Sequence, residues 1–494
     1  MAAAGSLKKM LSHSAVYGVG TVLAKATSVI MLPIYTRYLT PADYGLLELL
    51  SLLTDLTALL FGMRIFTGVY RYYFDTDDVQ RKNEVISTAL IANVAMHAIG
   101  VFFLVCLSYP ASILVMKDSS HQGLIVAFAF SLLTMSLTTV PMLYIRAQQK
   151  PWFYLMVSAS KLALQVLFNV IFVVVLHWGP AGIVASTLIT GLIIGTSLSL
   201  WVTRHTGLRF SKDVVKRLIT FGWPLMLANL GSFYLSFGDR MFLQHYWGLA
   251  VVGLYALAYR FGYALYSVAF GTFMLIWSTE SYQVYRQDNR LQIFQRTFIL
   301  TICSMIFLAT GLCVFAKEIL QVMSAPEFLP AHLIIPFVVA SCTVKAATDY
   351  CSFSVSVAEK TKHFLQASIL STIVMTVGYA ALIPSFGGMG AGAAALVGTL
   401  AELWWVVRTG SRYFDMQLPW KKVAFVFGSG AVVYGISVEI SESSDTLILT
   451  LALKALLMAG FLVALFFSPI MSSTERNAVF GKARTTLQRL AAGR

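Results

Sequence analysis

Long apolar runs, each closed by charge, glycine or proline, follow one another along nearly the whole chain. A helix needs about 20 residues to cross a hydrocarbon core of roughly 30 Å. On that length the runs predict spans near 11–36, 45–70, 85–108, 122–145, 152–176, 181–203, 218–243, 249–280, 296–316, 331–357, 364–384, 388–408, 422–438 and 446–468. The expected fold class is therefore an all-α polytopic membrane protein of about fourteen transmembrane helices.

Composition strengthens this reading. The 494 residues are 58% hydrophobic and 12% charged, about half the charged share of a soluble domain, so they cannot all fold with apolar side chains inward. No polar, turn-punctuated stretch exceeds a few tens of residues, which excludes a soluble catalytic module. The formal charge of +14 would suggest nucleic acid in a soluble protein, but its placement makes it a topology signal, and no nucleic-acid partner is expected. With the N-terminus inside, the inner connections carry Lys8, Lys9, Arg81, Lys82, Lys216, Arg217, Lys421 and Lys422 among others, whereas the outer ones hold Arg37, Lys117 and Lys317. The positive-inside rule then places both termini in the cytoplasm.

Ala24-Lys25-Ala26 mimics a signal-peptidase site, but the apolar segment continues through Val29-Ile30-Met31-Leu32, so a retained first helix is expected. The five cysteines lie in apolar segments without C-x-x-C spacing, which indicates neither a disulfide framework nor a metal site. No phosphate loop, H-E-x-x-H or G-x-S-x-G is present, so no cofactor and no enzymatic chemistry are expected. The short outer connections also weigh against a membrane-embedded glycan polymerase or ligase.

An internal repeat organises the spans. A shift of 208 residues brings Tyr38–Leu46 onto Tyr246–Leu254 and Lys8-Lys9 onto Lys216-Arg217, and Gly182 and Ser186 face Gly390 and Ala394. Two six-helix halves, 1–206 and 207–412, result, followed by two extra helices over 413–470 and a basic tail over 471–494. Because six is even, the repeat is parallel, its pseudo-two-fold axis lies along the membrane normal, and the halves are expected to enclose a cavity.

Tyr38-Leu39-Thr40-Pro41-Ala42-Asp43-Tyr44-Gly45, the Arg146-Ala-x-x-Lys150 segment, and Asp239-Arg240 followed by Val252-Gly253-Leu254-Tyr255 and Tyr259-Arg260 resemble the polysaccharide-transporter branch of the multidrug/oligosaccharidyl-lipid/polysaccharide exporter superfamily. The resemblance implies an alternating-access flippase in the bacterial cytoplasmic membrane. Its implied substrate is an undecaprenyl-diphosphate-linked oligosaccharide of the O-antigen or exopolysaccharide type, and other polysaccharide assembly proteins are candidate partners beside the membrane lipids. An ion-coupled multidrug exporter of the same superfamily is the alternative, and it would prefer an acidic cavity.

Charges within spans are functional candidates by default, since burial in lipid costs a few kcal/mol or more. Polar stripes run along the first span (Ser14, Gly18, Thr21, Lys25, Ser28), the fifth (Ser158, Lys161, Gln165, Asn169) and the seventh (Asn229, Ser232, Ser236, Asp239). For a diphosphate, arginine offers a two-pronged fork and lysine a point charge, which makes Lys25, Arg64, Lys161 and Arg260 headgroup candidates. Lys345 joins them, although it stands four residues from Asp349 and can neutralise it across one turn. Asp239 and Arg240, about 100° apart on the wheel, are expected to serve an outer gate while facing different partners. Asp55, Asp349 and Glu402 are the carboxylates suited to a coupling proton or sodium ion. Lys454, in the extra helix pair, is expected to reach an interface. Gly179-Pro180, Gly182, Gly388, Gly390 and Gly392 fit close helix packing, and the aromatics from Tyr255 to Tyr266 fit a sugar-stacking or interfacial face.

Overall fold

A computed structural model describes residues 31–360, 362–443 and 446–468. The described residues are helical, with no strand among them. In chain order they form α1 (Leu32–Tyr38), α2 (Pro41–Gly62), α3 (Ile65–Phe74), α4 (Val79–Cys106), α5 (Ser119–Ala147), α6 (Pro151–Val175), α7 (Gly179–Thr206) and α8 (Lys212–Trp247). There follow α9 (Leu249–Tyr285), α10 (Arg290–Met323), α11 (Ile335–Ser356), α12 (Lys362–Gly410), α13 (Trp420–Ser443) and α14 (Leu447–Phe467). Ten helices are long and apolar enough to cross a membrane, or up to twelve if two bent pairs each count as one span. Most of the expected first span, with Lys25, lies outside the described residues, as does the basic tail.

The helix α12 holds two of the expected spans. Its 49 residues would extend about 74 Å if straight, far beyond a bilayer core. Gly387 turns it instead, with φ 54° and ψ −128°, a conformation that only glycine adopts without strain. Ser371 Oγ then donates to the carbonyl of Gly398 at 3.0 Å, and Gly378 packs on Ala394, so the two arms run antiparallel as a hairpin.

Elsewhere the sequence signals resolve into local structure. The Thr40-Pro41-Ala42-Asp43 motif is a capping box: Thr40 Oγ1 accepts from the Asp43 N–H, and the Asp43 carboxylate accepts from the Thr40 N–H at 3.0 Å. The expected span 45–70, by contrast, is not one helix. Met63 and Arg64 both have left-handed backbone, φ 42° and 52°, and they divide α2 from α3. Gly222 of α8 faces this break so closely that a Cβ there would lie 2.1 Å from the Met63 carbonyl oxygen.

By packing, one compact unit runs to Ala256 and takes in Met323–Phe328, and the other comprises Leu257–Val322 and the chain from Leu329 onward. In the first unit the two copies of the repeated motif meet. A Cβ on Gly45 would lie 2.0 Å from Leu249 O, and one on Gly253 would lie 1.9 Å from Pro41 O. Since 41 and 45 correspond to 249 and 253 in the 208-residue shift, the contact is reciprocal, as a two-fold relation between these segments requires. The second unit has an aromatic core in which Trp277, Phe294, Phe298, Tyr350 and Phe353 pack together.

Candidate functional site

In the first unit, Arg240 on α8 has no exposed surface. Its Nη1 donates to Asp239 Oδ1 at 2.7 Å and to the Ser236 carbonyl at 2.8 Å, and its Nε lies 3.3 Å from Glu48 Oε1 of α2. Tyr255 of α9 donates to Asp239 Oδ2 at 2.6 Å. Asp239 and Arg240 thus face different helices, α9 and α2, and the arginine side chain is also long enough to fold back on the carboxylate beside it. Asp239 and Arg240 are closed to solvent, and through the partly exposed Glu48 the group clamps α8 to α2.

Arg64 stands where α2 breaks into α3. Its guanidinium donates to Asn229 Oδ1 of α8 and lies 5.5 Å from the Phe66 ring centroid. Asn229 is itself fixed by donation to the Leu225 carbonyl at 2.7 Å. No carboxylate of the described residues lies within ion-pair distance of Arg64, so its charge is oriented without being neutralised. Asp55 and Lys161 are exposed on α2 and α6. The stripe around Lys161 is partly used in packing: Gln165 donates to Ser186 Oγ at 3.0 Å, and Asn169 donates to the Tyr35 hydroxyl at 2.8 Å.

In the second unit, Lys345 on α11 sits between two carboxylates, with Nζ 3.2 Å from Asp349 Oδ1 and 2.9 Å from Glu402 Oε1 of α12. Tyr266, inside a π-helical turn of α9, donates its hydroxyl to Asp349 Oδ2. The side chains of Lys345, Asp349 and Glu402 remain 40%, 28% and 14% exposed, so a small ion can reach them. One amine against two carboxylates leaves this group net negative, which suits a cation better than a phosphate. Arg260 is half-buried on α9, where Tyr259, Tyr263 and Tyr266 form a ladder of stacked rings.

Lys454 departs from expectation. It is 2% exposed, its Nζ lies 2.6 Å from Glu318 Oε1 of α10, and it donates to the Val314 carbonyl at 2.8 Å. Burying an amine in an apolar span requires such a partner. Sequence reasoning missed Glu318, which stands beside Lys317 and reads as part of a polar connection, and it placed Tyr266 on an aromatic face without its bond to Asp349. Among the described residues no cluster of histidine, cysteine or carboxylate side chains has a metal-binding arrangement.

Residues 10–277 match the family described as polysaccharide biosynthesis protein, which is more than half of the chain. The chain belongs to this family. No curated protein matches its sequence. Among solved structures, the lipid II flippase MurJ in an inward closed conformation superposes with a TM-score of 0.72 at 13% identity, covering 91% of this chain and 98% of that one. An inward-facing multidrug resistance MATE family transporter of the MOP superfamily gives 0.57 at 14% identity, covering 80% and 98%. A MOP superfamily transporter from Pyrococcus furiosus gives 0.53 at 14% identity, covering 82% and 96%. At such identities the likeness establishes the fold, that of the MurJ and MATE transporters, and the family match assigns the chain to the polysaccharide branch.

Proposed function

We propose that this protein is a flippase that moves an undecaprenyl-diphosphate-linked oligosaccharide from the inner to the outer leaflet of a bacterial cytoplasmic membrane by alternating access. Arg64 carries the reading. A guanidinium at the break that ends the apolar helix α2, oriented by a neutral amide and left without a carboxylate, presents net positive charge to an anionic headgroup. An exporter of cationic drugs would be served by the opposite sign. In this reading Lys25, Lys161 and Arg260 supply further positive charge. The rings of Tyr259 and Tyr263 offer faces to sugars.

The Lys345–Asp349–Glu402 group takes the coupling role, its net negative charge suiting a proton or sodium ion, with Asp55 as a third carboxylate. Release of Arg240 from Glu48 serves as the outer gate step. The test is leaflet translocation by the full chain reconstituted in liposomes, scored by accessibility of the glycan to an added glycosidase. R64A is expected to lower the rate about a hundredfold and R64K to retain part of it, because lysine keeps the charge and loses the fork. Wild-type translocation by R64A would remove the headgroup assignment. Efflux of a cationic dye without glycan translocation would replace the flippase reading by the multidrug one.

A further inference from the structure

Buried Arg240 and Lys454 and the partly exposed Lys345 each face a carboxylate, and the surface residues Lys82 and Arg217 pair with Asp77 and Asp213. Arg146 and Lys150 depart from this pattern. Both are exposed, and neither has an acidic partner among the described residues. Aromatic rings hold them instead. Arg146 donates to the Tyr154 hydroxyl, its guanidinium carbon lies 4.4 Å from the centroid of the same ring, and Tyr154 is only 3% exposed. Lys150 Nζ lies 5.3 Å from the centroid of Trp201.

The backbone places both cations on one tight turn. Gln149, at φ 54°, ends α5, with its N–H donating to the Arg146 carbonyl at 2.9 Å and the Lys150 N–H donating to the Ile145 carbonyl at 3.2 Å. Pro151 then opens α6. Around the turn Trp201 contacts Phe153 and Tyr144, and Tyr144 contacts Tyr73, while Trp152 is 72% exposed. A belt of tryptophan and tyrosine marks headgroup depth.

We infer that Arg146 and Lys150 form a binding site for the phosphate of an anionic membrane lipid, at the end of the first unit that the charge bias assigns to the cytoplasm. An aromatic face orients a cation without cancelling its charge, so the arginine fork and the lysine ammonium stay available to phosphate oxygens. The surrounding rings accommodate the apolar neck of a lipid, which a soluble anion lacks. Two sources share this chemistry, a polyprenyl phosphate or diphosphate and an ordinary anionic phospholipid. The inference is independent of the flippase reading, since the site holds a lipid whether or not that lipid is transported.

Native mass spectrometry of the full chain in mild detergent, titrated with undecaprenyl phosphate, phosphatidylglycerol or phosphatidylcholine, tests it. R146A/K150A is expected to weaken anionic-lipid binding roughly tenfold or more and to leave phosphatidylcholine unaffected. Y154F, which keeps both charges and loses the hydroxyl hold on Arg146, is expected to weaken it about threefold. K421A/K422A, which removes equal charge elsewhere, should bind as wild type does. Tighter binding of undecaprenyl phosphate would identify a polyprenyl source, and equal binding a general anionic-lipid site; either supports the inference. Undiminished binding by R146A/K150A, or an equal loss in K421A/K422A, would overturn it. If the alanine pair does not fold, R146Q/K150Q and Y154F decide by the same readout.

Discussion

Glu318 and Lys454 are 136 residues apart in sequence and 2.6 Å apart in space. Ser441 of α13 also donates to Glu318 Oε1, at 3.3 Å, so three helices, α10, α13 and α14, meet on one carboxylate. Removing only the amine would strand a buried charge, at a cost of about 3 kcal/mol or more, whereas removing both charges is far milder. K454M should therefore lower the unfolding temperature markedly, and K454M/E318L should recover most of the loss, as thermal unfolding in detergent would record. An equal loss in both variants would refute the pairing. Nothing within a turn of Lys454 announces this partner, which is why the sequence suggests an interface instead. Lys345 and Asp349 were legible because they are four residues apart on one helix, but Glu402, the nearer of the two carboxylates at 2.9 Å, comes from the distant α12.

Elements were read well where glycine or proline marks their ends. The α12 hairpin was foreseen as two spans because Pro384 and the glycines after it interrupt the apolar run, and Gly387 makes the turn. The break between α2 and α3 was not foreseen, since Met63-Arg64 carries neither residue, and the space it occupies is left by Gly222 on another helix. The Thr40 capping box and the glycine after it belong to one short motif, whose purpose emerges only when its repeat partner packs against it. G45A and G253A each place a methyl group about 2 Å from a backbone oxygen that cannot move aside. Each should destabilise the protein on the order of 3 kcal/mol, visible as reduced yield of monodisperse protein, while alanine at Gly428, where the added carbon meets open space, should be tolerated. Equal tolerance at all three positions would contradict the close crossing of α2 and α9.

At the scale of the molecule, run length alone made the membrane class legible, because about 20 apolar residues per span is a demand of the bilayer. The charge bias adds an orientation, with the N-terminus inside. In a cysteine-free background, S119C should react with a membrane-impermeant thiol reagent on intact cells, and K212C only after permeabilisation; the reverse pattern would invert the topology. Partners of buried charges stayed illegible for a common reason: they are set by which helices are neighbours. The reciprocal contact of Gly45 and Gly253 bears on movement as well. Helices usually hold their crossing angle by interlocking ridges of side chains. Where two backbones touch with no side chain between them, no teeth engage, so turning about the point of contact is cheap. Within the first unit, any turn of α2 against the opening turns of α9 should therefore pivot on that spot.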